Sequence, residues 1–107
     1  MTFGEFIRKR RLEKGYTLRG FSSLVGLSPT FTSHMERDQV DSPSEEKINI
    51  IAKVLGIEEE KLVFMAKRVP KNVKEMIINR PKLAEFLKII STKSSQELEL
   101  IMKYAER

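Results

Sequence analysis

The chain has 107 residues, with 20 Lys+Arg against 15 Asp+Glu for a net charge of +5, one His, no Trp and no Cys. That length makes one compact domain, or a small domain with an appended second unit. Without Cys there are no disulfides, thiolate zinc sites, Fe–S clusters or thiol nucleophiles, and a single His cannot build a His-rich metal site, so neither metal nor cofactor is expected.

The apolar period is helical throughout, and no strand-like alternation, low-complexity tract or long repeat occurs. Thr2 is a candidate N-cap for a first helix whose stripe is Phe3, Phe6, Ile7 and Leu12. Gly15 stops that helix after basic residues in its last turn. Thr17 starts a second helix with Leu18, Phe21, Ser22 and Leu24 on its inner face, and Gly26 ends it. Only Leu27 separates this glycine from Ser28-Pro29, an N-cap followed by Pro at the first helical position. The third helix is predicted over 29–37, with Phe31 and Met35 spaced i, i+4 toward the core.

A polar loop, 38–43, follows. Ser44 caps a fourth helix over 44–55 with the stripe Ile48, Ile51, Ala52 and Leu55, and Gly56 stops it. Glu58, Glu59 and Glu60 open a fifth helix, about 58–67, at the positive end of its dipole, with Leu62, Val63 and Met65 inward. Arg68-Val69-Pro70 breaks the pattern and divides the chain into 1–67 and 68–107. Three further helices are predicted over 71–79, 81–90 and 95–106. The fold class is therefore all-α: a five-helix domain followed by a short C-terminal helical segment.

Charge is unevenly placed. Residues 1–26 carry Arg8, Lys9, Arg10, Arg11, Lys14 and Arg19 against Glu5 and Glu13, a net of +4, whereas residues 27–66 have a net of −4 and residues 67–107 a net of +5. A basic cluster at one end favours a polyanion such as nucleic acid, and a solvated helix face is the alternative. The helices at 17–25 and 29–37 meet at a tight turn containing Gly26, with small Ser22 where they approach closely. That is the physical specification of a helix-turn-helix, in which the second helix lies in the DNA major groove and the first crosses the backbone.

Here the sequence resembles the Xre family of Cro- and phage-repressor-type helix-turn-helix regulators. The resemblance rests on Thr17, Phe21, Ser22, Gly26, Leu27, Ser28, Met35 and Glu36, continues through Ser42-Pro43-Ser44, Ile48, Ala52, Leu55, Gly56 and Leu62, and covers about residues 3–66. Two positions depart from the family. Leu18 stands where a phosphate-contacting Gln is frequent, and Asp38 stands in a turn where Gly is common. The resemblance implies a sequence-specific DNA-binding transcriptional regulator, a repressor, with double-stranded DNA as its partner. It places Pro29, Thr30, Ser33 and His34 against base edges, where Thr and Ser hydroxyls suit several bases and the Thr30 methyl suits a thymine methyl. An ordinary exposed His is the alternative for His34. Arg37 is assigned to a phosphate or a minor-groove edge, or to an ion pair with Asp38 or Asp41. Arg19, Ser28 and Thr17 are assigned to phosphates, and Arg10 to a buried pair with Glu36.

The C-terminal helices are more apolar than solvated decoration requires. Leu83, Phe86, Leu87 and Ile90 form one stripe, flanked by Ala84 and Ile89. Leu98, Ile101, Met102 and Ala105 form another, with Leu100 and Tyr104 on a different side. Apolar surface wider than one face suggests contact with both the N-terminal domain and a second chain, with Leu87, Ile90, Leu98, Ile101, Met102 and Tyr104 as dimer contacts; packing within one monomer is the alternative. A homodimer suits a palindromic operator with half-sites about 34 Å apart. Some Xre-type regulators with a comparable tail after an Arg-Val-Pro-like junction are dimeric repressors controlled by a metallopeptidase or an anti-repressor, so a regulatory protein is a further partner implied. A second reading is the antitoxin of a toxin–antitoxin pair, or another protein-binding partner, whose DNA binding is autoregulatory. No paired carboxylates, phosphate-cradling Gly loop or Ser/His/Asp arrangement stands out, so no enzyme activity is expected. Nothing resembles a secretory signal or a membrane span, which leads to the expectation of a cytoplasmic chain with no membrane partner.

Overall fold

The computed structural model describes residues 1–107 and contains eight helices and no strand. They are α1 Phe3–Glu13, α2 Leu18–Val25, α3 Pro29–Glu36, α4 Glu45–Leu55, α5 Glu59–Met65, α6 Lys71–Asn79, α7 Pro81–Ile90 and α8 Ser95–Ala105. Two compact units result, Met1–Pro70 and Lys71–Arg107.

In the first unit each boundary has a local chemical cause. The hydroxyls of Thr2, Thr17, Ser28 and Ser44 accept the N–H three residues on, from Glu5, Gly20, Phe31 and Lys47, which satisfies one orphan donor per helix. Gly26 and Gly56 close α2 and α4 with φ of 71° and 69°, a conformation that a side chain would resist. A cationic side chain then caps each of these ends. Lys47 Nζ donates to Val25 O (2.9 Å) and Gly26 O (3.2 Å), and Arg10 Nη2 donates to Leu55 O (3.1 Å) and Gly56 O (3.4 Å). Positive charge there also complements the helix dipole. Helix α5 is shorter than its predicted span, because Lys67 takes a left-handed φ of 59°.

Ile7, Phe21, Val25, Met35, Ile48, Ile51, Ala52, Leu55, Leu62 and Val63 form one continuous core. Helix α3 packs on both α1 and α2, α2 also packs on α4, and α4 packs on α5. Two residues expected inside are on the surface: Leu12 is 54% exposed and Leu24 55%. On α1 the face turned inward is Gly4, Ile7 and Arg11, spaced i, i+3, i+7, and Leu12 lies about 100° round from Arg11. On α2 the buried residues are Phe21, Ser22 and Val25, which leaves Leu24 outside for the same reason. Phe31 is half-buried against the core, whereas its helical neighbour Thr32 is fully buried.

Gly4 marks the closest approach in this unit. A Cβ there would stand 2.7 Å from both Glu36 O and the Asp38 carboxylate, and would press on Met35 O as well. Backbone oxygens cannot swing aside as a side-chain tip can. Gly4→Ala is therefore expected to cost about 1–3 kcal/mol of stability by overpacking, even though Ala is the better helix former by about 1 kcal/mol. A neutral or raised urea midpoint would show that α1 slides freely on α3.

The second unit is built differently. None of the residues of α6, α7 and α8 is buried. Met76, Phe86, Leu87, Ile89, Leu100, Met102 and Tyr104 are all exposed. Of the six residues assigned to a dimer contact, Leu87, Met102 and Tyr104 are 45%, 59% and 73% exposed, and Ile90, Leu98 and Ile101 are half-buried.

Candidate nucleic-acid interface

The turn between α2 and α3 is specified by three adjacent residues. Gly26 reverses the chain, Leu27 N–H returns to Ser22 O at 2.9 Å, and Ser28 caps the helix that Pro29 begins. The inner faces are then joined by a buried hydroxyl relay. Ser22 Oγ donates to Thr32 Oγ1 (2.8 Å), and Thr32 Oγ1 donates to Ser28 O (2.9 Å). Both residues are at most 1% exposed, so this relay fixes α3 against α2 without leaving an unpaired polar atom.

The far end of α3 is held by α1. Arg11 Nε donates to Glu36 Oε2 at 2.7 Å and Arg11 Nη2 to Glu36 Oε1 at 3.0 Å, while Arg11 Nη1 reaches Tyr16 O at 3.0 Å. This two-pronged pair is buried, with side chains 9% and 4% exposed. Arg10, the residue assigned to Glu36 from the sequence, instead caps α4 and approaches Glu13 at 3.4 Å. The reason is helical phase: Arg11 continues the Gly4–Ile7 face that meets α3, and Arg10 points toward the end of α4. Asp38 takes the left-handed conformation that the turn requires (φ 57°). Its carboxylate accepts from Gly4 N–H (2.9 Å) and the Thr2 hydroxyl (2.5 Å). An Asp tolerates this backbone better than most residues, and here it also serves as a second cap for α1.

With both ends anchored, the remaining face of α3 points away from the protein. Pro29, Thr30, Ser33, His34 and Arg37 lie together along one shallow cleft, with Leu18 of α2 as its sixth wall. Pro29, Thr30 and Arg37 are exposed, and Ser33 and His34 are half-buried. Arg37 folds back on its own helix, with Nη2 on Ser33 Oγ (3.0 Å) and Nε on Ser33 O (3.3 Å), rather than onto Asp38 or Asp41. Thr17 and Ser28 are exposed at the starts of α2 and α3. Each hydroxyl oxygen accepts a backbone N–H, which leaves its proton to donate to a phosphate. Arg19 is exposed on the first turn of α2 but is not part of the α3 cleft. A second, larger cleft shares Leu18, Ser33 and Arg37 with the first and continues to Arg8, Lys9 and Leu12 of α1. Neither Leu18 nor Arg8 and Lys9 were assigned to this surface from the sequence. The signal for Arg8 and Lys9 was the i, i+1, i+4 grouping of 8, 9 and 12 beside the Gly4–Ile7–Arg11 face.

The arrangement offers hydroxyl and imidazole groups on the outward face of α3, flanked by exposed cations. It suits hydrogen bonding to base edges inside a groove, with phosphate contacts alongside. Arg19→Ala is expected to weaken binding equally on all duplexes and to reduce the slope of log K against log salt by about 1 for each Arg19 on the duplex. An unchanged slope would remove Arg19 from the contact.

Comparison with known proteins agrees with this geometry. A helix-turn-helix family model matches residues 7–62. Among solved structures, SinR, a master regulator for biofilm formation, in complex with DNA, aligns at 27% identity over 58% of this chain and 98% of that one, with a TM-score of 0.53. The SinR–SinI complex aligns at 19% identity over 98% of this chain and 95% of that one (TM-score 0.54). The clp gene regulator ClgR from Corynebacterium glutamicum aligns at 24% identity over 86% and 92% (TM-score 0.52); these last two likenesses are of fold. No curated protein sequence matches the chain. No helix is long and apolar enough to cross a membrane. With its matched helices, its turn and its outward-facing α3, the chain belongs to the Xre/Cro-type helix-turn-helix family and is a DNA-binding transcriptional regulator.

Proposed function

We propose that the chain is a cytoplasmic homodimeric repressor that reads a palindromic operator with α3 and occupies promoter DNA. The observation that carries this reading is the division of α3 into an anchored face and a polar, outward one: Glu36 and Thr32 are buried, whereas Thr30, Ser33 and His34 border an open cleft. In this reading Pro29, Thr30, Ser33 and His34 meet base edges, and Thr17, Arg19, Ser28 and Arg37 meet phosphates.

One such helix spans only a few base pairs, so specificity needs a second copy related by a two-fold axis. The exposed apolar residues of α7 and α8, among them Leu87, Met102 and Tyr104, supply a surface for that copy, together with Ile90, Leu98 and Ile101. The likeness in fold to SinR bound to SinI, which spans 98% of this chain, supports a second role for the same helices, as the docking surface of a regulatory protein.

Selection of purified protein against a randomised duplex library, at fixed salt near the physiological level, tests the reading. Enrichment of an inverted repeat, with light scattering giving the mass of two chains, is the expected result. Binding without enrichment of any sequence would overturn the operator-reading function, and a monomer bound to a single half-site would overturn the dimer.

A further inference from the structure

Leu18 is the one apolar side chain in the wall of the cleft formed by the outward residues of α3, apart from the ring of Pro29. It also lines the neighbouring cleft of α1, where Ser33 and Arg37 of the first cleft meet Arg8 and Lys9. It is half-buried at the first position of α2. Leu12, 54% exposed, extends the same apolar strip along α1.

The walls around Leu18 carry Arg8, Lys9 and Arg37 together with Glu5 and Asp38, so the choice of a polyanion comes from the net charge of +4 over residues 1–26 and from the outward face of α3. The major-groove edge of duplex DNA offers an apolar side chain one apolar group, the C5-methyl of thymine. We propose that Leu18 is a specificity-determining residue that packs against a thymine C5-methyl, at the operator position next to the base pairs met by Ser33. The proposal rests on the reading of α3 as the base-contacting helix. It adds to that reading a preference for thymine that needs no hydrogen bond and that uracil, which lacks only the methyl, cannot satisfy.

The test uses the full chain and its selected operator, with each thymine replaced in turn by deoxyuridine. The wild-type chain is expected to lose about four-fold in affinity per half-site at one position, the loss of one buried methyl. Leu18→Ala is expected to bind the thymine duplex more weakly but to be indifferent to deoxyuridine at that position, so that the two changes do not multiply. Leu18→Gln, of similar length and helix propensity, is a second variant that keeps the comparison valid if Ala loosens α2, and it should be indifferent too. If no deoxyuridine weakens the wild-type chain, or if the penalty persists undiminished in both variants, the assignment of Leu18 fails while the DNA reading stands. If the wild-type chain enriches no sequence at all, the reading of α3 fails and the proposal with it.

Discussion

Glu36→Ala is expected to cost about 3–5 kcal/mol of folding stability, because it leaves the Arg11 guanidinium buried beside α3 without its carboxylate. Both charges of this pair are almost wholly out of water. Two N–H donors meet two oxygens, so the loss removes both bonds at once,. A domain of this size is stable by only about 5–15 kcal/mol, and the variant should approach the limit of folding. The midpoint of urea unfolding, followed by far-UV circular dichroism, reads the effect. Arg10→Ala is the informative control, because Arg10 makes C-terminal capping bonds at a partly exposed site and should cost about 1 kcal/mol. Replacing Arg11 and Glu36 together by Met should cost much less than the sum of the single changes, since no charge is then stranded. Equal costs for Glu36→Ala and Arg10→Ala would refute the assigned pairing.

His34→Ala is expected to have the largest effect on function. A good base contact discriminates by about 1–3 kcal/mol, and the proposed two-fold complex makes it twice, so preference for the operator should fall by about 2–6 kcal/mol, with little change on unrelated DNA. Ser33→Ala is less clean, because the Ser33 hydroxyl also holds Arg37. Its removal frees that guanidinium to reach a phosphate and should offset part of the loss through a steeper salt dependence. Competition binding against operator and random duplexes separates the two quantities. An equal loss on both duplexes would take His34 and Ser33 out of base reading.

Much of this fold is legible in the residues, because helix starts and stops are local chemistry. Thr2, Thr17, Ser28 and Ser44 cap as their type and position suggest, and Gly26 and Gly56 terminate as expected. What the sequence concealed was phase. Four consecutive residues, 8–11, are basic, and composition does not say which of them turns inward; the answer follows only once Gly4 and Ile7 are taken as the buried face. Leu12 and Leu24 lie outside for the complementary reason: an apolar side chain is not by itself evidence of burial. Thr32 escaped notice because a hydroxyl in a core declares itself only through its partner, here Ser22. Asp38 stood out as a departure from the turn's usual Gly, but its bonds to Gly4 and Thr2 link residues 34 and 36 positions apart, beyond any local pattern.

The way α3 is secured has a bearing on how operator preference can diversify. The fastenings at Thr32, Met35, Glu36 and Asp38 face α1 and α2, whereas Thr30, Ser33 and His34, interleaved with them along the chain, face outward. Exchange of the three outward residues leaves every fastening in place. In the proposed reading of α3, operator preference can therefore change by altering a few codons without passing through unstable intermediates, and the same three positions are the ones to randomise when a new target is wanted.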